Sequence, residues 1–291
     1  MITHLTNSPE LQAEIDAWLE KHHKAANGHW IKNIKERTAC NLNTQVLTIG
    51  MTGTGKSLHN IASCLMLQRD FSVDNITFSP VDVLKLLTSG KLKPGDCVIM
   101  EEAGVQINSA SWQSKEVKLF SQFFETIRRM RINFFLNCPN RSNIAKTIRN
   151  LMHAEATPLF INRQNKTCVC KAFLLQTSPT DPEPYRHFLT KKETGEPIPT
   201  WTTPLPPAGF IKAYEEKRDA FQQMLNQKTL KALKELHGEG EDKLRKSVCE
   251  ACGKFSKSRL LNENDIPPKC RRCSSNRTKW YDEPKEEGTK S

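Results

Sequence analysis

The chain has 291 residues, 37% of them hydrophobic and 26% charged, with a formal net charge of +11. That apolar content supports one large buried core with an appendage and argues against a disordered chain, while no apolar run approaches the roughly 18–20 residues of a membrane span. The N-terminus lacks a charged-then-apolar leader, so the expectation is a soluble cytoplasmic protein with no membrane partner, and the excess positive charge points to a polyanion such as nucleic acid.

In chain order, Ser8-Pro9-Glu10 is a helix start, with a serine cap and proline at the first helical position, and Leu11, Ile15, Trp18 and Leu19 form one apolar stripe. Val46, Leu47 and Ile49 read as a buried strand, and Leu58, Ile61, Ala62 and Leu65 repeat at helical spacing. A strand over 75–79, a helix over 81–87 and a turn at Lys93-Pro94-Gly95 lead into a strand ending at Met100. An amphipathic helix is expected over 114–129, with Val117, Phe120, Phe124 and Ile127 inward. A strand over 132–137, a helix over 143–152 and a hairpin of 157–161 with 167–175 follow. The prolines between 177 and 207 predict an extended strap, with a disordered linker as the alternative, before a helix over 209–237. Strand and helix alternation of this kind predicts an α/β fold with a mostly parallel sheet flanked by helices.

Between that first strand and helix stands Gly50-Met51-Thr52-Gly53-Thr54-Gly55-Lys56-Ser57, which meets every specified position of the phosphate-binding loop. Glycine lets the backbone N–H groups of Gly50, Thr52, Gly53, Thr54 and Gly55 curl around phosphates, Lys56 reaches the β- and γ-phosphates, and the Ser57 hydroxyl ligates Mg2+. The nucleotide expected is ATP. Hydrolysis also needs an acid in the magnesium shell and a base for water. Cys97-Val98-Ile99-Met100 ends on Glu101 and Glu102, assigned to magnesium and to water in that order and expected on a strand next to the loop. Aspartate is usual at the first position, so Glu101 must retract its longer side chain. Asn137, ending the following strand, is a candidate to contact the attacking water or the γ-phosphate.

The ten cysteines divide into six scattered ones, among them Cys97, Cys138, Cys168 and Cys170, and four paired ones, which is no disulfide framework. Cys249-x-x-Cys252 and Cys270-x-x-Cys273, 17 residues apart, have the spacing of a four-cysteine zinc ribbon, with iron–sulfur ligation less favoured. Four thiolates leave no open position, so the Zn2+ is structural. Basic residues surround it, including Arg259, Lys269, Arg271, Arg272, Arg277 and Lys279, with Phe255, Trp280 and Tyr281 able to stack on bases or to pack the ribbon. DNA binding and protein docking both remain open for this module.

Taken together, the loop, Phe78-Ser79-Pro80, the run Val98 to Val105, and Ser109-x-x-Trp112-x-Ser114-Lys115 resemble the HerA/FtsK-type ATPases of archaea, their viruses and mobile elements, zonular-occludens-toxin-like members included. The resemblance continues through Thr126-Ile127-Arg128, Arg149 to Ala154 and Phe210 to Lys217. It implies a RecA-like P-loop NTPase that assembles as a ring, commonly a hexamer, and moves DNA, with a virion or terminal protein as a further partner and the host cytoplasm as the compartment. It also implies an arginine reaching a neighbour's γ-phosphate. Arg128 and Arg149 fall on the matching segments, with Arg131 and Arg141 as alternatives.

The expected organisation is an N-terminal helical segment (1–40), an ATPase core (41–178), a strap and helix (179–240), a zinc ribbon (241–283) and a flexible tail (284–291). The function expected is an ATP-driven DNA translocase of the genome-packaging type. The alternative is an ATP-controlled DNA-binding or assembly switch with slow hydrolysis; a kinase is weaker, because no acceptor-binding lid is evident.

Overall fold

Hydrophobic runs bounded by turns set the sheet. The computed structural model describes residues 7–103, 115–177, 184–236, 244–259, 269–270, 272–274 and 276–280. Three helices come first: α1 (Pro9–Lys21), α2 (His23–Ala26) and α3 (His29–Ala39). Ser8 caps α1 by accepting a hydrogen bond from the Leu11 amide at 3.2 Å, a contact worth about 1 kcal/mol. Trp18 of α1 donates through Nε1 to the Leu205 carbonyl at 2.7 Å, and Trp30, Ile31 and Ile34 of α3 are buried.

The central elements are β1 (Gln45–Ile49), α4 (Lys56–Leu67), β2 (Ile76–Thr77), α5 (Pro80–Thr88), β3 (Cys97–Met100), α6 (Lys115–Thr126) and β4 (Asn133–Cys138). After them come α7 (Lys146–Arg149), β5 (Ala154–Asn162), β6 (Thr167–Gln176), β7 (Tyr185–Thr190), β8 (Pro197–Ile198), β9 (Trp201–Pro204) and α8 (Ala208–Leu236). The strands run in the order β2-β3-β4-β1-β5-β6-β7-β8, with β9 paired to β6. From β2 to β5 every pairing is parallel; from β5 onward every pairing is antiparallel. The parallel strands are largely buried and mostly apolar because both faces are covered. Phe120 and Phe124 of α6 pack on one face, with Phe124 edge-on to Phe134 at 4.9 Å.

Two local expectations change. The segment 143–152 is not one helix: Asn140 caps a 3-10 turn over Arg141–Asn143 and only one α-turn, α7, follows. His153 Nδ1 then accepts from the Gln45 amide at 3.0 Å, drawing the chain into register with β1. In the described part of the proline-rich segment, neither a strap nor a disordered linker is found: β7, β8 and β9 extend the sheet. Pro197 and Pro204 stand at strand ends, where a missing N–H costs no ladder bond. Of the proline-rich segment, residues 178–183 lie outside the described residues, as does the part of the resemblance at Gly104 to Ser114.

The chain divides into two compact units, Met1–Asp219 and Ala220–Ser291. In the first, the start of α8 is fixed by Phe210 stacked on Phe71 at 5.8 Å and by Lys217, whose ammonium donates to the Val73 and Ile76 carbonyls at 2.8 and 2.7 Å. The second holds a three-stranded antiparallel sheet of β10 (Leu244–Cys249), β11 (Phe255–Arg259) and β12 (Thr278–Trp280), with β10 central.

Candidate functional site

The glycine-rich loop joins β1 to α4. Gly55 has φ 95°, and a Cβ there would meet Ile161 Cγ1 at 2.9 Å and Cys168 Sγ at 3.0 Å, so the position requires glycine for conformation and for space. Its carbonyl accepts the first α4 bond, from the His59 amide at 2.8 Å, leaving the earlier helix N–H groups available to an anion. Lys56 Nζ donates to the Gly50 and Met51 carbonyls at 2.8 and 3.0 Å, which holds the ammonium over the loop. Burial depresses the Lys56 pKa, and the Glu101 and Glu102 carboxylates oppose that shift.

The acids do not lie on the strand next to the loop strand. β4 stands between β1 and β3, in the register Thr48↔Asn137 and Met100↔Leu136, so Asn137 lies between the loop and the acids. The acids nevertheless end beside the loop, as expected, and this strand order explains how three segments meet. Glu101 Oε2 accepts from Asn137 Nδ2 at 2.6 Å and from Ser57 Oγ at 3.1 Å, and Asn137 Nδ2 is also 3.1 Å from Ser57 Oγ. Burial pushes the Glu101 carboxyl up to about 7, while the hydrogen bonds from Asn137 and Ser57 hold it down.

Two oxygens in this cluster, Glu101 Oε1 and Asn137 Oδ1, are buried without a hydrogen-bond partner. Orphaned buried oxygens are costly unless a donor or cation meets them. Adjacent ligands of an octahedral Mg2+ ion stand about 2.9 Å apart. The 3.1 Å between Ser57 Oγ and Glu101 Oε2 is close to that spacing, so these residues fit the ion. Glu102 differs in every respect: it is exposed, it has φ 51°, and it lines the cleft beside the loop. A left-handed backbone on a glutamate costs on the order of 1 kcal/mol, which the surrounding structure must offset.

That cleft, about 280 Å3, is lined by Thr52, Gly53, Lys56, Ser57, Glu102 and Asn137, and also by Tyr214, Glu215 and Arg218 of α8. The last three were not recognised in sequence as site residues. The signal was the four-residue spacing of Tyr214 and Arg218, one helical turn on a single face. Tyr214 is buried, which pushes its phenol up against the lowering effect of a hydrogen bond with Ser57.

The arginines fare differently. Arg141 is buried, 3.1 Å from Glu155 Oε2, and Glu155 also pairs with Arg186 at 3.2 Å. Reaching a neighbouring subunit would strip that buried carboxylate of a partner, so Arg141 is a structural ion-pair residue. Arg131 donates to Asn41 Oδ1 at 2.6 Å. Arg149 ends α7 and is partly buried; Arg128 lies in the 3-10 turn Ile127–Met130, and its side chain lies outside the described residues.

In the second unit, the Sγ atoms of Cys249, Cys252, Cys270 and Cys273 all lie within 4.8 Å of one another. The pairs Cys249–Cys273 and Cys252–Cys270 are each 3.6 Å apart, near the roughly 3.8 Å that tetrahedral Zn–S bonds of about 2.3 Å impose. Each knuckle closes alike: Gly253 donates to the Cys249 carbonyl and Ser274 to the Cys270 carbonyl, both at 2.8 Å, and both residues have positive φ. Backbone N–H groups of Cys273 and Arg272 bring the Cys270 thiol down to about 6, so it is poised as a thiolate ligand. Lys254, Lys269, Arg272, Arg277 and Lys279 are exposed around the knuckles, as is Phe255; Arg271 and Tyr281 and the side chains of Arg259 and Trp280 lie outside the described residues.

The fold and the loop define the class as a mixed α/β protein of the phosphate-loop kind, with a four-cysteine cluster near its C-terminus. No protein-family model matches the chain. No curated protein matches it. Solved structures similar to it include the N-terminal domain of zonular occludens toxin from Neisseria meningitidis, at 17% identity and TM-score 0.33, covering 52% of this chain and 96% of that one. The genome packaging NTPase B204 from Sulfolobus turreted icosahedral virus 2, in complex with AMP, is 9% identical at TM-score 0.30, covering 54% and 98%. The FIGL-1 AAA domain in complex with ADP is 18% identical at TM-score 0.29, covering 39% and 42%. At these values the functional reading rests on the residues of this chain. Among the described residues, no helix is long and apolar enough to cross a membrane.

Proposed function

We propose that the chain is an ATP-hydrolysing DNA translocase of the genome-packaging type, working as a ring, most simply a hexamer, in the host cytoplasm. The observation that carries the reading is the meeting of Ser57, Glu101 and Asn137, with the buried oxygens Glu101 Oε1 and Asn137 Oδ1 lacking hydrogen-bond partners. Lys56 exchanges its loop carbonyls for the β- and γ-phosphates, and the loop amides from Gly50 to Gly55 hold the remaining oxygens. Ser57 and Glu101 hold Mg2+, which supplies neutralisation of phosphate charge. Asn137 keeps the Glu101 carboxylate aimed and contacts the γ-phosphate or the water. Glu102, in the cleft, accepts the proton of the attacking water. An arginine from a neighbouring subunit, Arg128 or Arg149, completes the site.

Zn2+ on Cys249, Cys252, Cys270 and Cys273 gives the second unit the core its size cannot provide. The +11 net charge and the exposed cations around the knuckles suit DNA phosphates; docking to a virion or terminal protein is the other use of that module. Steady-state ATPase measured with and without DNA, alongside oligomeric state, tests the proposal. A motor shows DNA-stimulated turnover and a ring. A chain that hydrolyses slowly whether or not DNA is present, and stays monomeric, is the ATP-controlled switch instead. The glutamate pair Glu101 and Glu102, with no aspartate at the first position, is the feature that favours that second reading.

A further inference from the structure

Nothing in the phosphate-loop or acid-pair chemistry requires α8, yet α8 supplies one wall of the nucleotide cleft. Its placement is built in. Phe210 stacks on Phe71 and is fully buried. Tyr214, one turn on, is buried and lines the cleft together with Ser57, a candidate magnesium ligand. Lys217 is clamped by two backbone carbonyls, at 2.8 and 2.7 Å, on the chain entering β2. Three anchors within eight residues fix both the rotation and the axial position of this helix. Besides Tyr214, the side chains they bring to the cleft are Glu215 and Arg218, of which Arg218 is the cation.

Arg218 is held lightly. Its guanidinium lies over the Tyr214 ring at 5.7 Å from the centroid, and it approaches Asp219 at 3.5 Å, a long contact between two well-exposed side chains. Exposed pairs of this kind contribute little, so the cation can turn to a stronger anion at small cost. A guanidinium binds phosphate oxygens through a planar fork, and a cation stacked on an aromatic ring keeps its N–H edge available. The same cleft is also lined by Lys56 and Ser57.

We propose that Arg218 binds the γ-phosphate of the nucleotide held by its own subunit, so that its side chain engages ATP and not ADP. The inference rests on the nucleotide-site reading above and adds to it an arginine acting in cis, distinct from any arginine that a neighbour contributes. It makes α8, which continues to Leu236 in the second unit, the element whose start reports the γ-phosphate.

The test is binding of fluorescent ADP and of the slowly hydrolysed ATPγS to the full-length protein with Mg2+ and without DNA. Arg218→Ala should weaken ATPγS by about 10- to 100-fold, the value of a charge-assisted contact, and ADP by less than about threefold. Arg218→Lys should restore only part of the loss. Mixing Arg218→Ala chains with Lys56→Ala chains, which keep the arginine but lack the phosphate lysine, should give no rescue. Equal loss for both nucleotides, no loss for either, or rescue on mixing overturns the proposal. If wild type binds ATPγS in a Lys56-dependent way while Arg218→Ala matches it, only the role of Arg218 fails. If wild type binds neither nucleotide, the reading of the cleft fails first and this proposal with it.

Discussion

Glu101 and Glu102 are adjacent in sequence and opposite in surroundings. The first is buried against Ser57 and Asn137, and the second is exposed in the cleft on a left-handed backbone. Only the exposed one has room to take a proton from water. Glu102→Gln should therefore keep nucleotide affinity within about twofold and cut turnover by 100-fold or more, since the amide has the shape but not the basicity. Glu101→Gln should raise the Mg2+ concentration needed for binding. Normal binding with lost turnover in Glu101→Gln would mean that the two roles are exchanged. His59 gives a second test at this scale. It is fully buried, bonded to Thr203 Oγ1 at 3.0 Å and approached by Cys170 Sγ at 3.4 Å, and burial holds its pKa down at about 3. The unfolded chain takes up this proton near pH 6.5 and the folded chain does not. Stability is thus fully present above about 6.5 and falls toward pH 3, by at most about 1.4 kcal/mol per unit. Urea melts should show a flatter acid limb in His59→Gln than in wild type; equal slopes would remove His59 from the account.

Among the elements, those legible in the sequence were set by local chemistry. The Ser8 cap with Pro9, the apolar run of β1, and the glycines that loop and phosphate both require were readable because each signal lies within a few residues. Gly55 shows the strength of that constraint. Gly55→Ala should destabilise the domain by about 1–3 kcal/mol and weaken nucleotide binding, because left-handed strain adds to contacts with Ile161 and Cys168. Gly90→Ala, with similar φ but open space around it, should cost less and leave binding unchanged. Melting curves and nucleotide titrations of the two variants make the comparison; equal cost would leave only backbone strain. What sequence did not show was set by distant partners. The strands β7 to β9 lay in a proline-rich stretch whose pairing depends on β6. The insertion of β4 between β1 and β3 is a matter of strand order, which no local pattern carries. The same holds for Arg141, whose buried partner Glu155 stands on β5, and for Arg218, brought to the cleft by the anchors of α8.

Across the whole molecule, Met1–Asp219 holds the phosphate loop and Ala220–Ser291 holds the four cysteines, so each unit should fail on its own terms. Metal analysis should find one zinc per chain. Cys270→Ser should lose that metal and unfold the second unit while ATP binding stays within about twofold. Loss of both together would tie the ribbon to the integrity of the core. The central claim is that ATP hydrolysis moves DNA, and displacement of a third strand from a triplex placed along duplex DNA tests it most directly. Wild-type protein should displace the strand with ATP and Mg2+, and should not do so with ATPγS or after Glu102→Gln. DNA-bound protein that hydrolyses ATP yet leaves the triplex intact would contradict the claim and leave a nucleotide-controlled switch in place of a motor.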